Sequence, residues 1–382
     1  MRWVQGASAP EVTRCLRKNG VLYTGEDTGL TFSVNSDGSF KSSYSELPIW
    51  GEMKRVTLNG QVMVQIPKYY IKREIVDGYL YTWVSKKKRA GYRCAAIFLH
   101  PDGETENDYY YVGAYESTND TPGMSVSGKK YSTEDMPYNE GWTLKQYREA
   151  AQAIGDGWGI TSIAELGDLW QVLLPIEFGT REVQSVTPGI CAIMDGPFDE
   201  YYDLDYRTGL TDNVPNLHGI CKITDNSPEG SSYNYKKQAG LNCGANPFVW
   251  HGIENPYGCI EKWIDGLTFS NGICYVTNDR AEFKTDDISG YIQIDYSVAT
   301  STNYVQELGY DENVPYCQLP TAVIGTSDIY FCAYWHAPAK DGYQYAAFSC
   351  GGGDAGVWQI DASHTSTYSR GFTGSRLSYS PV

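Results

Sequence analysis

Residues able to ligate a metal or move a proton are scattered singly along this 382-residue chain. Its five histidines, His100, His218, His251, His336 and His364, are never four apart, the spacing that puts two imidazoles on one helical face for zinc. His251 with Glu254 is too generic a pair to specify a metal, so structural or surface roles are expected for all five. The ten cysteines include no C-x-x-C pair for zinc or disulfide exchange and are expected to be buried or half-buried free thiols. Asp199, Glu200, Asp203, Asp205 and Asp212 form an acidic cluster that could collect calcium. The glutamate that closes an EF-hand loop is missing, which favours a solvated loop over a calcium site.

Catalytic signatures are missing as well. There is no HExxH, no G-x-S-x-G and no GxxxxGK[ST], so zinc-peptidase, serine-hydrolase and P-loop chemistry lack their local marks. Gly155, Gly157 and Gly159 imitate a dinucleotide loop, but they follow a helical stretch instead of a strand, and Ile160 stands where the last glycine is needed. A helix-ending turn is expected there, and the chain is expected to be no enzyme and to need no cofactor.

Charge narrows the partners. A net charge of −16 repels phosphate backbones, whose binding requires Lys and Arg to displace counterions, and it disfavours anionic membrane surfaces too. No apolar run approaches the ~20 residues of a spanning helix. After Arg2 the segment MRWVQGASAPEVTRC has no apolar stretch of signal-peptide length. A soluble protein made in a cytoplasm is expected, binding no nucleic acid and inserting in no membrane. Thirty-two Tyr, ten Trp and forty Gly, with 20% charged residues, describe a turn-rich, aromatic-packed fold of short strands.

The elements follow from periodicity. Residues 1–58 intersperse Gly, Ser and Asp clusters with short apolar pieces and read as a β-rich N-terminal appendage, followed by a domain over 59–382. Asn59-Gly60 suits a tight hairpin turn. Val62, Val64 and Ile66 alternate up to Pro67, and Tyr69 and Ile71 resume the period of two, which predicts a strand, a break and a second strand. GYLYTWVSK (78–86) and NDYYYVGAYES (107–117) share this character and are expected in one sheet. Thr143 caps a helix with Leu144, Tyr147, Ala151 and Ile154 on one face and Gly155 at its end. Ser162 and Glu165 make a capping-box pattern before Ile163, Leu166, Trp170, Leu173 and Leu174, predicting the most buried helix. From 185 onward Gly, Asn, Asp and Pro punctuate short strands.

Two segments carry a resemblance. GIENPYGCIEKWIDGL (252–267) joins the turn residues Asn255, Pro256 and Gly258 to an apolar stripe of Ile260, Trp263 and Ile264, with Asp265 following. It resembles the core segment of the formylglycine-generating-enzyme branch of the C-type lectin fold. AGVWQIDASHTSTYSRGFTGSRLSYSP (355–381), above all its GSRLSY close, resembles the variable region of proteins diversified by retroelements in phages and bacteria. QVMVQIPKYYIKRE (61–74), YVGAYES and the pair of helices are similar to the phage tropism determinants among them. The resemblance spans about 60–382. It implies an α+β, C-type-lectin-like fold with two helices packed on a β-rich core and a variable region at about 342–379.

The family divides labour between fixed residues that hold the fold and interspersed ones that vary and face a ligand. Trp263, Asp265, Trp358, Gly374, Arg376 and Leu377 match the scaffold. Tyr343, Tyr345, Asp354, Asp361, Ser363, His364, Tyr368, Arg370 and Phe372 resemble the varied positions, and all are reachable from an asparagine codon by replacing adenines. Tyr, Phe, Arg and His would supply rigid contact area, and Ser and Asp adaptable polarity. The resemblance implies a ligand-binding protein displayed on a virion or cell exterior, trimeric by likeness, that meets a protein or glycan receptor on a bacterial surface. Two alternatives stand beside it. A formylglycine-generating-enzyme-like copper oxidase would need paired thiols, yet Cys350 lies without a sequence partner and folding would have to bring up another such as Cys332. A structural virion decoration protein is the other. The EPN, QPD and WND sugar motifs are absent, so calcium-independent contacts are expected.

Overall fold

Two left-handed residues fix the first hairpin. Asn59 (φ 48°) and Gly60 (φ 78°) form a turn whose twist matches the strands it joins, Lys54–Leu58 and Gln61–Pro67. Pro67 cannot donate to a ladder, and past it the chain leaves this sheet. Tyr70–Val76 pairs instead with Tyr79–Ser85, in a four-stranded sheet that also holds Arg2–Gly6 and Arg93–Cys94. Tyr109–Ser117 returns to pair with Gln61–Pro67. The two aromatic strands therefore lie in different sheets, contrary to expectation, because the break at Pro67 divides the ribbon. This computed structural model describes residues 2–6, 17–18, 21–23, 27–76, 79–117, 123–129, 141–178, 208–221, 247–258, 260–326, 331, 333–348, 356–370 and 373–381.

The larger sheet has thirteen strands among the described residues. From one edge its main path runs Pro320–Ile324, Asn303–Leu308, Tyr334–His336, Ile360–His364, Tyr343–Phe348, Glu261–Ser270, Thr373–Tyr379, Tyr109–Ser117, Gln61–Pro67 and Lys54–Leu58. The last strand in sequence, Thr373–Tyr379, is thus interior to the sheet. It runs parallel to Glu261–Ser270 and antiparallel to Tyr109–Ser117 and the short Trp158–Ile160. Covered on both faces, residues 373–378 are all buried, without the alternation of a one-sided strand. Gly374 is required there: an added Cβ would sit 2.4 Å from Ile260 Cδ1 and 2.7 Å from the Ser117 carbonyl.

The helices close the core. Leu144–Gln152 has a complete capping box, in which Thr143 Oγ1 accepts the Gln146 N–H at 3.3 Å and Gln146 Oε1 accepts the Thr143 N–H at 2.9 Å. Its Leu144, Tyr147 and Ala151 pack with Trp158, Trp263 and Leu377. The second helical segment starts at Ser162, whose Oγ accepts the Glu165 N–H at 3.2 Å. Glu165 does not reciprocate; its carboxylate accepts from Tyr110, Thr161 and Trp170 inside the core. A π turn over Leu166–Trp170 leads into Gln171–Phe178, and every residue from Ile163 to Phe178 is buried, the polar Glu165, Asp168, Gln171 and Glu177 included.

The segment before residue 59 does not stand apart. Phe32, Phe40, Tyr44 and Trp50 share the main core cluster with the second helix, and Trp50 Nε1 donates to the Leu173 carbonyl at 3.4 Å. The expected appendage boundary at 58 falls at a hairpin turn between paired strands. The architecture is α+β, rich in β-structure, with two helical segments packed on it. Among the described residues no helix is long and apolar enough to cross a membrane.

Candidate ligand-binding face

The six residues expected to form the scaffold are all buried. Arg376 is fully enclosed; Nη1 donates to the Gly113 carbonyl at 2.8 Å, and Nη2 to those of Glu254 and Asn255 at 2.7 and 2.8 Å. One guanidinium thereby ties the interior strand to its neighbour and to the turn after Ile253. Beside it Lys262 forms a buried ion pair with Glu116 at 2.5 Å and donates to the Gly258 and Ile260 carbonyls. Asp265 accepts two bonds from Arg148, at 2.7 and 2.8 Å, and so locks the first helix to the sheet.

The nine residues resembling varied positions are distributed unevenly. Ser363 is exposed, and Tyr343, Asp361, Tyr368 and Arg370 are half-buried. Asp354 and Phe372 lie outside the described residues. Tyr345 and His364 correct the expectation that all nine face outward, for both are buried. The Tyr345 hydroxyl accepts the Asp286 N–H and donates to the Asp286 carboxylate at 3.1 Å. His364 is clamped between rings: Trp263 meets it edge-on at 5.3 Å, and Tyr368 stacks on it at 3.8 Å with planes 23° apart. The Arg370 guanidinium lies 5.0 Å over the Tyr368 ring. A ladder of flat groups thus climbs from the core at Trp263 to the half-exposed Arg370.

Alternation along Ile360–His364 turns His364 inward with Ile360 and Ala362. Ala347 faces Asp361 but Tyr345 faces His364, a one-residue shift in the ladder between Tyr343–Phe348 and Ile360–His364. It brings Asp361 and His364, three residues apart, to the same side, with His364 Nε2 3.9 Å from Asp361 Oδ2 and 3.6 Å from Glu261 Oε2. His336, opposite Asp361 on the parallel strand Tyr334–His336, places Nδ1 4.0 Å from the same Oδ2. Ser363 donates to Asp361 Oδ1 from both N–H and hydroxyl, and Thr373 Oγ1 donates to Glu261 Oε2 at 2.8 Å. Burial, reinforced by the Asp361 carboxylate, pushes the Glu261 carboxyl up to about 8. Burial also holds His364 down at about 4 and therefore neutral.

A second carboxylate–imidazole group lies elsewhere in the core. Glu177 Oε1 faces His218 Nε2 at 3.0 Å and accepts the Ser42 hydroxyl at 2.6 Å, while Oε2 faces His251 Nε2 at 2.9 Å and accepts Trp250 Nε1–H at 2.7 Å. The imidazoles stack at 3.9 Å, and His218 Nδ1 accepts the His251 N–H at 3.2 Å. Burial pulls the Glu177 carboxyl upward, but the imidazoles facing it more than reverse that and hold it well below the usual carboxylate range. Burial, with His251 beside it, pushes His218 down to about 4. His251 does not pair with Glu254, whose carboxylate accepts from Gly209 and Thr211 instead.

The other expected groups are structural where described. His100 meets Asn107 at 3.0 Å. Asp212 takes Arg55 at 2.6 Å, Tyr115 at 2.5 Å and Ser127 at 2.8 Å, which commits it to an ion pair; Asp199, Glu200, Asp203 and Asp205 lie outside the described residues. Cys94, Cys221, Cys274 and Cys317 are free thiols, and Cys332 and Cys350 lie outside the described residues. Sequence inspection missed both Glu–His groups. The partners within the Glu177 group are 41 and 33 residues apart, so no local spacing announces them.

No family model and no curated protein matches this sequence. A solved structure, the Major Tropism Determinant U1 Variant, aligns with 99% of this chain and 99% of its own at 9% identity and a TM-score of 0.29, a likeness too slight to establish a shared fold.

Proposed function

We propose that this chain is a non-enzymatic binding protein whose C-terminal face, from Tyr343 to Arg370, is a diversified surface that attaches a phage or adhesive particle to a protein or glycan on bacteria. The observation that carries the reading is the ladder Trp263–His364–Tyr368–Arg370, which presents a tyrosine and an arginine with their conformational freedom already spent. Such side chains dominate binding surfaces because they offer large, stiff contact area with a polar edge. The resemblance of 355–381 to retroelement-diversified regions points to the same surface. The buried bonds of Arg376 and Asp265 suit it as well, since they leave the fold indifferent to exchanges at exposed positions such as Ser363. Copies displayed together, as in a trimer, would add weak contacts through effective concentration.

Two measurements test this. Tyr368→Ala combined with Arg370→Ala is expected to weaken binding of the labelled protein to a panel of bacterial cells by about tenfold or more. Unchanged binding in a variant that melts normally would refute the assignment of the face. Sequencing the 3′ end of the gene across one population is expected to find changes clustered at 343–372 with 374–379 constant. A constant 343–372 stretch would refute diversification.

A further inference from the structure

We infer that Glu261, Asp361 and His364 bind a divalent transition-metal ion of the zinc class, with His336 as a further donor, so that the C-terminal face presents a metal ion to its ligand. Nε2 of His364 is the starting point. It belongs to a side chain only 3% exposed and has no hydrogen-bond partner. A buried polar atom in that state costs free energy, and its persistence asks for a reason. The nearest acceptors, Glu261 Oε2 at 3.6 Å and Asp361 Oδ2 at 3.9 Å, are too distant for hydrogen bonds. Two donors on one tetrahedral zinc ion stand about 3.4 Å apart. The imidazole nitrogen is therefore within a few tenths of an ångström of the spacing at which it would share an ion with either carboxylate.

The surroundings orient these atoms. Ser363 occupies Asp361 Oδ1 with two hydrogen bonds and leaves Oδ2 turned toward both histidines. Thr373 fixes Glu261 through Oε2, and Tyr368 and Trp263 hold the His364 ring. Hydrogen bonds of this kind are what align ligating carboxylates in metalloproteins. The ligand atoms of Glu261, Asp361 and His364 all lie within 4.8 Å of one another, and a dication placed among them would screen the two carboxylates from each other. Imidazole nitrogen among the donors selects a zinc-like ion over calcium, which takes oxygen. Asp361 at 18% and His336 at 41% side-chain exposure leave the ion an entrance and an outward position for an oxygen of the ligand.

The Glu177 group has the same residue types and lacks these properties. Its imidazoles are already within 3.0 Å of the carboxylate, and Ser42 and Trp250 donate to its two oxygens.

The inference rests on the proposed binding face only for its consequence, since the ion can be detected without any ligand. Chelator-stripped full-length chain titrated with zinc sulfate in a calorimeter is expected to bind stoichiometrically. Affinity should fall about tenfold or more in Glu261→Gln and in His364→Gln, and stay unchanged in His251→Gln. Cobalt(II) added to the unaltered chain is expected to give the intense visible bands of a tetrahedral site, a reading independent of whether any variant folds. No zinc binding by the unaltered chain overturns the inference, as does binding that survives Glu261→Gln and disappears in His251→Gln. A chain that binds no zinc but still attaches to bacteria through Tyr368 overturns this inference and leaves the proposed function standing.

Discussion

Glu177 with His218 and His251, and Glu261 with Asp361 and His364, are assembled from the same side-chain types and reach opposite electrostatic outcomes. The first surrounds one carboxylate with four donors at 2.6–3.0 Å. The second sets two carboxylates about one imidazole at 3.6–3.9 Å and leaves its nitrogen unpaired. Burial alone does not decide what a charged cluster does. The count and distance of donors around each carboxylate decide whether it cements the fold or invites an ion. The satisfied cluster knits the Ser42 region to the second helix, whereas the unsatisfied one lies beside the half-exposed ladder, where a solvent-borne partner can reach it.

The contrast should break first at Glu177. Glu177→Ala strands the donors of Ser42, His218, Trp250 and His251 in the core, and urea denaturation should show a loss of about 3–5 kcal/mol. A loss below about 1 kcal/mol would mean that the network is not cement.

Glu261 and His218 should respond to pH with opposite signs. The folded Glu261 carboxyl, raised from 4.5 to about 8, favours the protonated form, so its contribution is fully present below pH 4.5 and lost as pH rises toward 8. That contribution should fall by about 4 kcal/mol across the window, read as the difference between the unaltered chain and Glu261→Gln, which imitates the protonated acid, when both are denatured at low and at high pH. His218, lowered from 6.5 to about 4, keeps its full contribution above pH 6.5 and loses it as pH falls toward 4. Between pH 6.5 and 4.5 that contribution should fall by about 2 kcal/mol, read as the difference between the unaltered chain and His218→Gln. Identical pH profiles for the two variants would erase the distinction. The smallest effect is expected at Ser363→Ala: an exposed change within about 0.5 kcal/mol in stability that nonetheless weakens zinc binding by releasing Asp361.

Local features of the fold were legible in the sequence, and the reasons are local. The Asn59-Gly60 turn, the Pro67 break, the Thr143 cap and the broad apolar face of the second helix each depend on residues a few positions apart. What depended on the far chain was not legible. Nothing near Glu165 says that Tyr110 and Trp170 outcompete the helix cap for its carboxylate, and nothing near Tyr79–Ser85 assigns it to the smaller sheet. Tyr345 and His364 were misjudged because Tyr343–Phe348 is covered on both faces and Ile360–His364 turns His364 to its inner one, and which faces are covered is decided by distant parts of the chain. The metal-capable groups were hidden because Glu261 and His364 meet only after the sheet is built.

The interior position of Thr373–Tyr379 bears on how such a molecule is made. These residues follow 343–372 in chain order, yet three other strands need them as a partner. The nascent chain cannot complete its sheet until they have left the ribosome, and a copy cut short or frame-shifted within 343–372 keeps the bare edges of Tyr109–Ser117 and Glu261–Ser270. Cellular proteases would remove such copies, while copies carrying a simple exchange still zip shut. Closure of the sheet thereby makes folding depend on the reading frame through 343–372.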